Sequence, residues 1–294
     1  KLSYRPTTKD EISLATFIYS NSFQDSIFNS IIQRSQTDSM ETQNLGVSFQ
    51  WVHRAKGGWK TTVKGVHTDY DFYYDFDIRD LRNNRPDEVG FKRNTIRENQ
   101  IHLIQSYSPR ENWDFSVGYQ WTQYQVFYEL DRSRNSISTA DEVLDQTYAL
   151  HTLFTRIQSD PEARIGIDIG LRTNYNHKNM VIFLEPRVHL WYRILNRWRV
   201  HAQAGSYVQF VNQLLEFNGD NIGIPTPIWT LGGNPTLPAL QSSQIQIGSI
   251  WNPGSWVIDI QLYSRTLRGL NSLATGFENV RRGEIIRGDG QILG

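Results

Sequence analysis

Four aspartates, Asp69, Asp71, Asp75 and Asp77, share one side of residues 68–78, and Tyr70, Phe72, Tyr74, Phe76 and Ile78 share the other. Hard cations take several oxygen ligands, so carboxylates on one pleated face suit Ca²⁺ or a cationic ligand, with Asp69, Asp71 and Asp75 as the binding candidates. The competing reading is a solvated face, because the stretch has neither the glycine turn nor the spacing of a Ca²⁺ loop. A second set, Glu185, Arg187, His189 and Arg193, lies opposite Leu184, Val188 and Leu190, next to Asp168 and Arg172 of the preceding segment. Charges set opposite an apolar face need partners or water. The third candidate is residues 216–240, rich in Pro, Gly and Asn and carrying Phe217 and Trp229. A connection of that length binds a ligand, acts as a lid, or folds only as a compact cap.

Other chemistry is poorly supported. The histidines at 53, 67, 102, 151, 177, 189 and 201 form no pair at metal-ligand spacing backed by carboxylates. No G-x-S-x-G elbow, phosphate-binding loop or H-E-x-x-H occurs, and carboxylate pairs alone do not mark a glycosidase in a β protein. We therefore expect no enzyme, no metal and no cofactor. With Cys 0, thiolate sites and disulfides are excluded, and Lys+Arg 30 against Asp+Glu 30 leaves no global field for nucleic acid.

The elements that must position these residues are strands. In residues 164–175, Ile165, Ile167, Ile169 and Leu171 alternate with Gly166, Asp168, Gly170 and Arg172, and 197–211 repeat the pattern. A period of two is a strand with two environments. Strands are expected at 11–20, 44–53, 59–78, 94–107, 113–130, 146–158, 164–175, 181–193, 198–213, 241–251 and 256–268, with a twelfth starting near 287. Short polar turns alternate with longer connections near 21–43, 78–93, 131–145, 216–240 and 271–288. Trp59, Trp113, Trp198 and Trp256 open strands just after short turns, while Trp51, Trp191 and Trp251 close strands entering them. A tryptophan ring at one level marks a membrane interface, with a capped soluble sandwich as the alternative. No apolar run reaches the ~18–20 residues of a membrane helix. The whole describes an all-β transmembrane antiparallel barrel with turns in the periplasm and loops outside the cell. In residues 113–130 the apolar phase flips from Trp113, Phe115, Val117, Tyr119 and Trp121 to Tyr124, Val126, Tyr128 and Leu130. Either a bulge or a change of environment produces such a flip.

Phe183-Leu184-Glu185-Pro186-Arg187-Val188 with the turn Leu195-Asn196-Arg197-Trp198 resembles a hairpin of TonB-dependent outer-membrane receptors of Bacteroidetes type. Asn221-Ile222-Gly223-Ile224-Pro225-Thr226-Pro227-Ile228-Trp229, the run to Gln244, and the hairpin from Asn252 to Leu270 continue the likeness. It is best over 181–294 and looser before that.

This resemblance implies a 22-stranded barrel, of which residues 1–294 supply about 12 strands, around an N-terminal plug that this chain does not show. It further implies import of a nutrient bound in the extracellular loops, driven by the inner-membrane TonB complex through a segment preceding the plug. Asp168, Arg172, Glu185, Arg187, His189 and Arg193 would then face the lumen and hold the plug. The partners implied are outer-membrane lipid of a Gram-negative bacterium, the TonB complex and a surface lipoprotein, with no nucleic acid. Two alternatives stay open: a non-transporting, receptor-like barrel that docks surface lipoproteins, and a complete 12-stranded barrel with its ends on adjacent strands.

Overall fold

The structure is a computed structural model and describes all residues except 32, 84, 111, 136, 219–226, 234–236, 271, 276–278, 282–283, 287–290 and 294; side chains are also left undescribed at 110, 139–142, 214–218, 227 and within 272–293. The alternating segments are strands: β1 (Leu2–Tyr4), β2 (Asp10–Asn29), β3 (Arg34–Arg54), β4 (Trp59–Asp80), β5 (Arg85–Arg110), β6 (Trp113–Arg134), β7 (Ile137–Ser159), β8 (Ile165–Asn176), β9 (Val181–Leu195) and β10 (Trp198–Gln209). After them come β11 (Val211–Asn218), β12 (Pro227–Leu231), β13 (Leu240–Trp251) and β14 (Ile258–Arg268), then the short β15 (Ser272–Thr275), β16 (Asn279–Arg281), β17 (Glu284–Ile286) and β18 (Gln291–Leu293). One sheet of 12 strands runs β1 to β10, then β13 and β14. Among the described residues it is open, with β1 and β14 at its margins.

Cross-strand register settles which residues share a face. Ile165, Ile167, Ile169 and Leu171 pair with Tyr192, Leu190, Val188 and Pro186, and Ala202 and Ala204 pair with Ile247 and Ile245. This apolar face is open: Ile165 is 70%, Leu184 59% and Ile247 63% exposed. The opposite face is polar and closed, with Glu185 at 3% and Asn174 at 1%. A protein surrounded by water does the reverse, so the outer face is built for acyl chains. From Ile165 to Tyr175 a strand climbs roughly 33 Å at about 3.3 Å per residue, and a tilt of about 40° makes that an apolar band about 25 Å tall.

The phase flip in β6 is a change of environment. Pairing of β6 with β5 and β7 is continuous from Phe115 to Arg132, so no bulge intervenes between Trp121 and Tyr124. Trp113 to Trp121 face outward at the level of the band. Beyond it the outward positions become Gln123, Gln125 and Glu129, while the inward positions become Tyr124, Val126, Tyr128 and Leu130. Val126 is 0% exposed because another part of the chain covers it from inside.

Several boundaries differ from the sequence reading. The expected loops 21–43, 78–93 and 131–145 are mostly wall: β2 and β3 stay paired from Asp10↔His53 to Asn29↔Arg34, and the β4–β5 and β6–β7 ladders likewise continue to tight turns. Above the band both environments of the outward face are aqueous, so hydrophobic alternation fades although the ladder does not. β5 has 26 residues, more than twice the ~9–11 that a crossing needs. The expected strand 198–213 breaks at Phe210, where the chain leaves the wall. Strand β14 begins at Ile258, which leaves Trp256 in the turn. The twelfth wall strand is β1 rather than one near 287; Gln291–Leu293 pairs with β15 instead. Within 271–288, residues 271, 276–278, 282–283 and 287–288 lie outside the described residues.

Trp51, Trp59, Trp113, Trp198 and Trp251 sit on the outward face, and Trp59 stacks on Tyr107 at 4.3 Å. Trp191 is the exception and corrects the girdle: its register partner His201 and neighbour His189 face inward, and it is 5% exposed. The cause is its cross-strand partner Gly166, whose missing side chain leaves the space the indole fills. A Cβ there would lie 1.9 Å from Trp191 Cε2. The same joint recurs inside the wall, Phe154 over Gly118 and Phe17 over Gly46, each a direct register pair. Aromatic cover of a strand glycine restores packing and pins register. Gly166→Ala is expected to destabilise the folded barrel by about 1–3 kcal/mol through displacement of Trp191; urea unfolding in vesicles gives the cost, and a changed near-ultraviolet signal locates it at the indole.

Candidate functional site

The inner face of β5 to β10 gathers the charges. Asp168, Arg172, Glu185, Arg187 and His189 all project from it, as the sequence reading placed them. Glu185 is nearly closed off and accepts from Arg187 Nη2 at 2.6 Å and from Asn174, with Arg172 Nε at 3.9 Å. Arg172 also donates to Gln120 Oε1 at 3.1 Å and to Asn174 Oδ1 at 3.2 Å, and Thr152 donates to Asn174 Oδ1 at 2.7 Å. The Arg187 guanidinium lies 4.6 Å over the Tyr207 ring. Below this cluster Arg156 forks onto Asp168 at 2.6 and 2.8 Å, and His189 meets His201 edge to face at 5.7 Å. Arg193 stands apart at the turn end, paired with Glu162 at 2.7 Å. Two arginines share one carboxylate, so the buried Glu185 charge is compensated within the cluster.

Above the charges lies a cavity of about 620 Å³ whose walls come from β3 through β10, which requires the sheet to curve around it. Its rim is aromatic: Tyr70, Tyr124, Tyr207, Phe210 and Trp229, with Glu98, Arg172, Glu185 and Arg187 among them. Burial raises the Tyr70 hydroxyl above the ordinary phenol range, partly offset by a hydrogen bond to Trp229. Burial, then the nearby Glu98 carboxylate, does the same for Tyr124. These phenols stay neutral and present hydroxyls beside ring faces.

Trp229 joins this site as the sequence suggested. It packs edge to face with Tyr70 at 6.3 Å, and its backbone N–H donates to Asn94 Oδ1 at 2.6 Å while Asn94 Nδ2 donates back to its carbonyl at 3.1 Å. The Phe217 side chain lies outside the described residues. Asn94, Tyr124, Tyr148 and Tyr207 escape a sequence reading; the only signal is their inward parity above the band, next to acids and glutamines that carry no motif.

Of the aspartates on β4, Asp69 borders this cavity. Asp69, Asp71 and Asp75 project outward from β4, above the apolar band, where their register partners are Arg97, Thr95 and Phe91, with Arg93 on the diagonal from Asp71. Arg93 reaches Asp71 at 2.9 Å and Arg97 reaches Asp69 at 3.2 Å. Both pairs are partly solvated, so these acids carry arginine partners on the outer face of the wall. Asp71→Asn is expected to shift stability by less than about 1 kcal/mol, as exposed pairs do, in a urea titration on vesicles.

No protein-family model and no curated protein matches the sequence. Solved structures do match in shape. The RagAB peptide transporter superposes with TM-score 0.59 at 13% identity, covering 99% of this chain and 41% of that one. The copper transporter OprC gives 0.59 at 10%, covering 99% and 46%. The alcaligin outer-membrane receptor FauA from Bordetella pertussis gives 0.55 at 12%, again 99% and 46%. The chain thus spans less than half the length of these three proteins. Register, facing and these likenesses together establish one thing about kinship: the chain has the transmembrane β-barrel fold found in outer-membrane receptors and transporters.

Proposed function

We propose that this chain is the barrel wall of a receptor in the outer membrane of a Gram-negative bacterium, which binds a nutrient on the extracellular side and imports it with energy from the TonB complex. The observation that carries the reading is the inversion of the wall, apolar and open outside, polar and closed inside, combined with a cavity of neutral phenols above the level of the lipid. A wall built only to cross a bilayer has no need of strands such as β5 that rise far beyond it, nor of an aromatic chamber between them. Asp168, Arg172, Glu185, Arg187 and His189 hold a plug from the inside on this reading, and the tall outward wall of β2 to β7 offers a surface for a surface lipoprotein.

The test is uptake by cells carrying the full-length protein, on a panel of nutrients as sole source. Uptake that depends on the protein and stops with a proton-motive-force uncoupler is the expected result. Protein-dependent uptake that ignores the uncoupler would make the barrel a passive pore, and binding without any uptake would favour the docking role.

A further inference from the structure

Strand β9 is bonded unequally on its two sides. Toward β8 its pairing runs unbroken from Ile165↔Tyr192 to Asn176↔Val181, whereas toward β10 it ends at Arg187↔Gly205. β10 itself continues to Gln209, paired there with β13 alone. Above Gly205 the wall therefore forks, with 181–186 bonded to one neighbour and 206–209 to the other.

Pro186 accounts for the fork. In an antiparallel ladder successive residues turn their N–H groups to opposite neighbours. The Arg193 N–H donates to the Arg164 carbonyl, on the β8 side, at 2.7 Å, so odd positions of β9 serve β8 and even positions serve β10. Position 186 belongs to the second set, and proline has no N–H to give. The donor that would meet the Ser206 carbonyl is missing, and the ladder stops at the pair before it.

On the outer face a groove of about 840 Å³ lies along this fork. Pro186, Ala204, Ser206 and Ser243 give it a floor of small side chains, flanked by Ile169 and Leu171 on one side and Ile245 on the other. All of these point outward, in the half of the apolar band far from the short turns. On the inner face Arg187 of β9 spans the fork, held by Glu185 at 2.6 Å with its guanidinium 4.6 Å over the ring of Tyr207 of β10.

We propose that this groove seats one acyl chain of a phosphate-bearing lipid of the bilayer, with the headgroup at Arg268. The proposal rests on the barrel reading, and three observations choose the occupant. The groove is continuous with the lipid-facing surface, where Leu184 and Ile247 beside it are exposed. Its hydroxyls answer one another, Ser206 Oγ lying 3.4 Å from Ser243 Oγ, so an apolar chain leaves them satisfied. Arg268 stands one outward position above Thr266 of the groove rim, paired with Gln241. Among the described residues it is the only charged side chain at the outward positions of β8, β9, β10, β13 and β14, and a cation at headgroup level attracts a phosphate.

The test is native mass spectrometry of the full-length protein, purified in detergent, stripped of lipid and titrated with dioleoylphosphatidic acid or with dioleoylglycerol. One phosphatidic acid should be retained ahead of any others. Ser243→Phe, which fills the groove, should weaken that first adduct about tenfold or more, the worth of two buried methylenes, while Ala202→Phe, on the lipid face below the groove, leaves it unchanged. Arg268→Gln should weaken it about fivefold, to the level of dioleoylglycerol, which binds the unaltered protein and this variant alike. Should Ser243→Phe fail to fold, the exposed Arg268→Gln still decides the matter.

Several adducts of equal strength, indifferent to both groove variants, would mean ordinary boundary lipid and overturn the proposal. So would a dimer that Ser243→Phe dissolves, since a second copy would then occupy the groove. Lipid retention does not depend on import, so the expected pattern with failed uptake would sink only the proposed function.

Discussion

Ile169→Arg is expected to cost the folded barrel roughly 2–4 kcal/mol, the range for a cation on the lipid face at mid-bilayer. Ile169 is 44% exposed, pairs with Val188, and stands about midway between Ile165 and Tyr175, the lower and upper limits of the apolar band on β8. An arginine there has no aqueous neighbour and must snorkel past two turns of pleat. Leu184 faces the same way but pairs with Thr173, closer to the upper limit, so Leu184→Arg should cost less, toward the ~0–1 kcal/mol found near an interface. Gln203 faces inward and already donates to Gln246 at 2.7 Å, so Gln203→Arg should fall below both. Urea-dependent folding into vesicles measures all three. A flat series, or a cost at Gln203 matching that at Ile169, would mean that the two faces have been exchanged.

The lower part of this protein is legible in sequence because lipid enforces a strict rule. Outward positions of β8, β9, β10 and β13 are mostly apolar, with Ser206, Ser243 and Ser249 as exceptions, and each inward one has water or protein to satisfy it, so period-two patterning survives and gives both strand and facing. Asp168, Arg172, Glu185, Arg187 and His189 share one face for that reason. Above the band the rule lapses. In β2 and β3, residues 21–29 and 34–44 mix polar and apolar side chains without a sustained period of two, and it is backbone pairing that shows them to be wall. Trp191 misled for a related reason: its position beside a turn was legible, but the glycine opposite it, the cause of its inward turn, lies on another strand. The acids on β4 kept their alternation while its meaning inverted, because Tyr70, Phe72 and Tyr74 became the covered side only when a remote segment folded over that end of the barrel. That segment, 210–239, carried proline and glycine signals of a loop and nothing to say where the loop goes.

Leu231→Ala tests whether that segment is separable from the wall. Leu231 is fully closed off among Val126, Tyr148, Leu150, Phe210 and Ala239, and truncating a leucine in such a place costs about 2–5 kcal/mol. In a single cooperative core this loss would lower the melting of the whole molecule. Here the wall does not depend on it, since Gln209↔Leu240 closes the β10–β13 ladder without residues 210–239. The loss should therefore appear as local opening. The amides to watch are Trp229, bonded to Asn94, and Gly232, which donates to the Phe210 carbonyl at 2.7 Å. A cost of about 2 kcal/mol accelerates their hydrogen exchange about 30-fold, while amides of β13 between Gln241 and Ile250 keep their protection. Equal acceleration in β13 would show that the segment around Leu231 and the wall fold as one unit. Unchanged exchange at Trp229 would show that the side chains on Leu231 do not hold the segment, leaving the Asn94 bracket as its anchor.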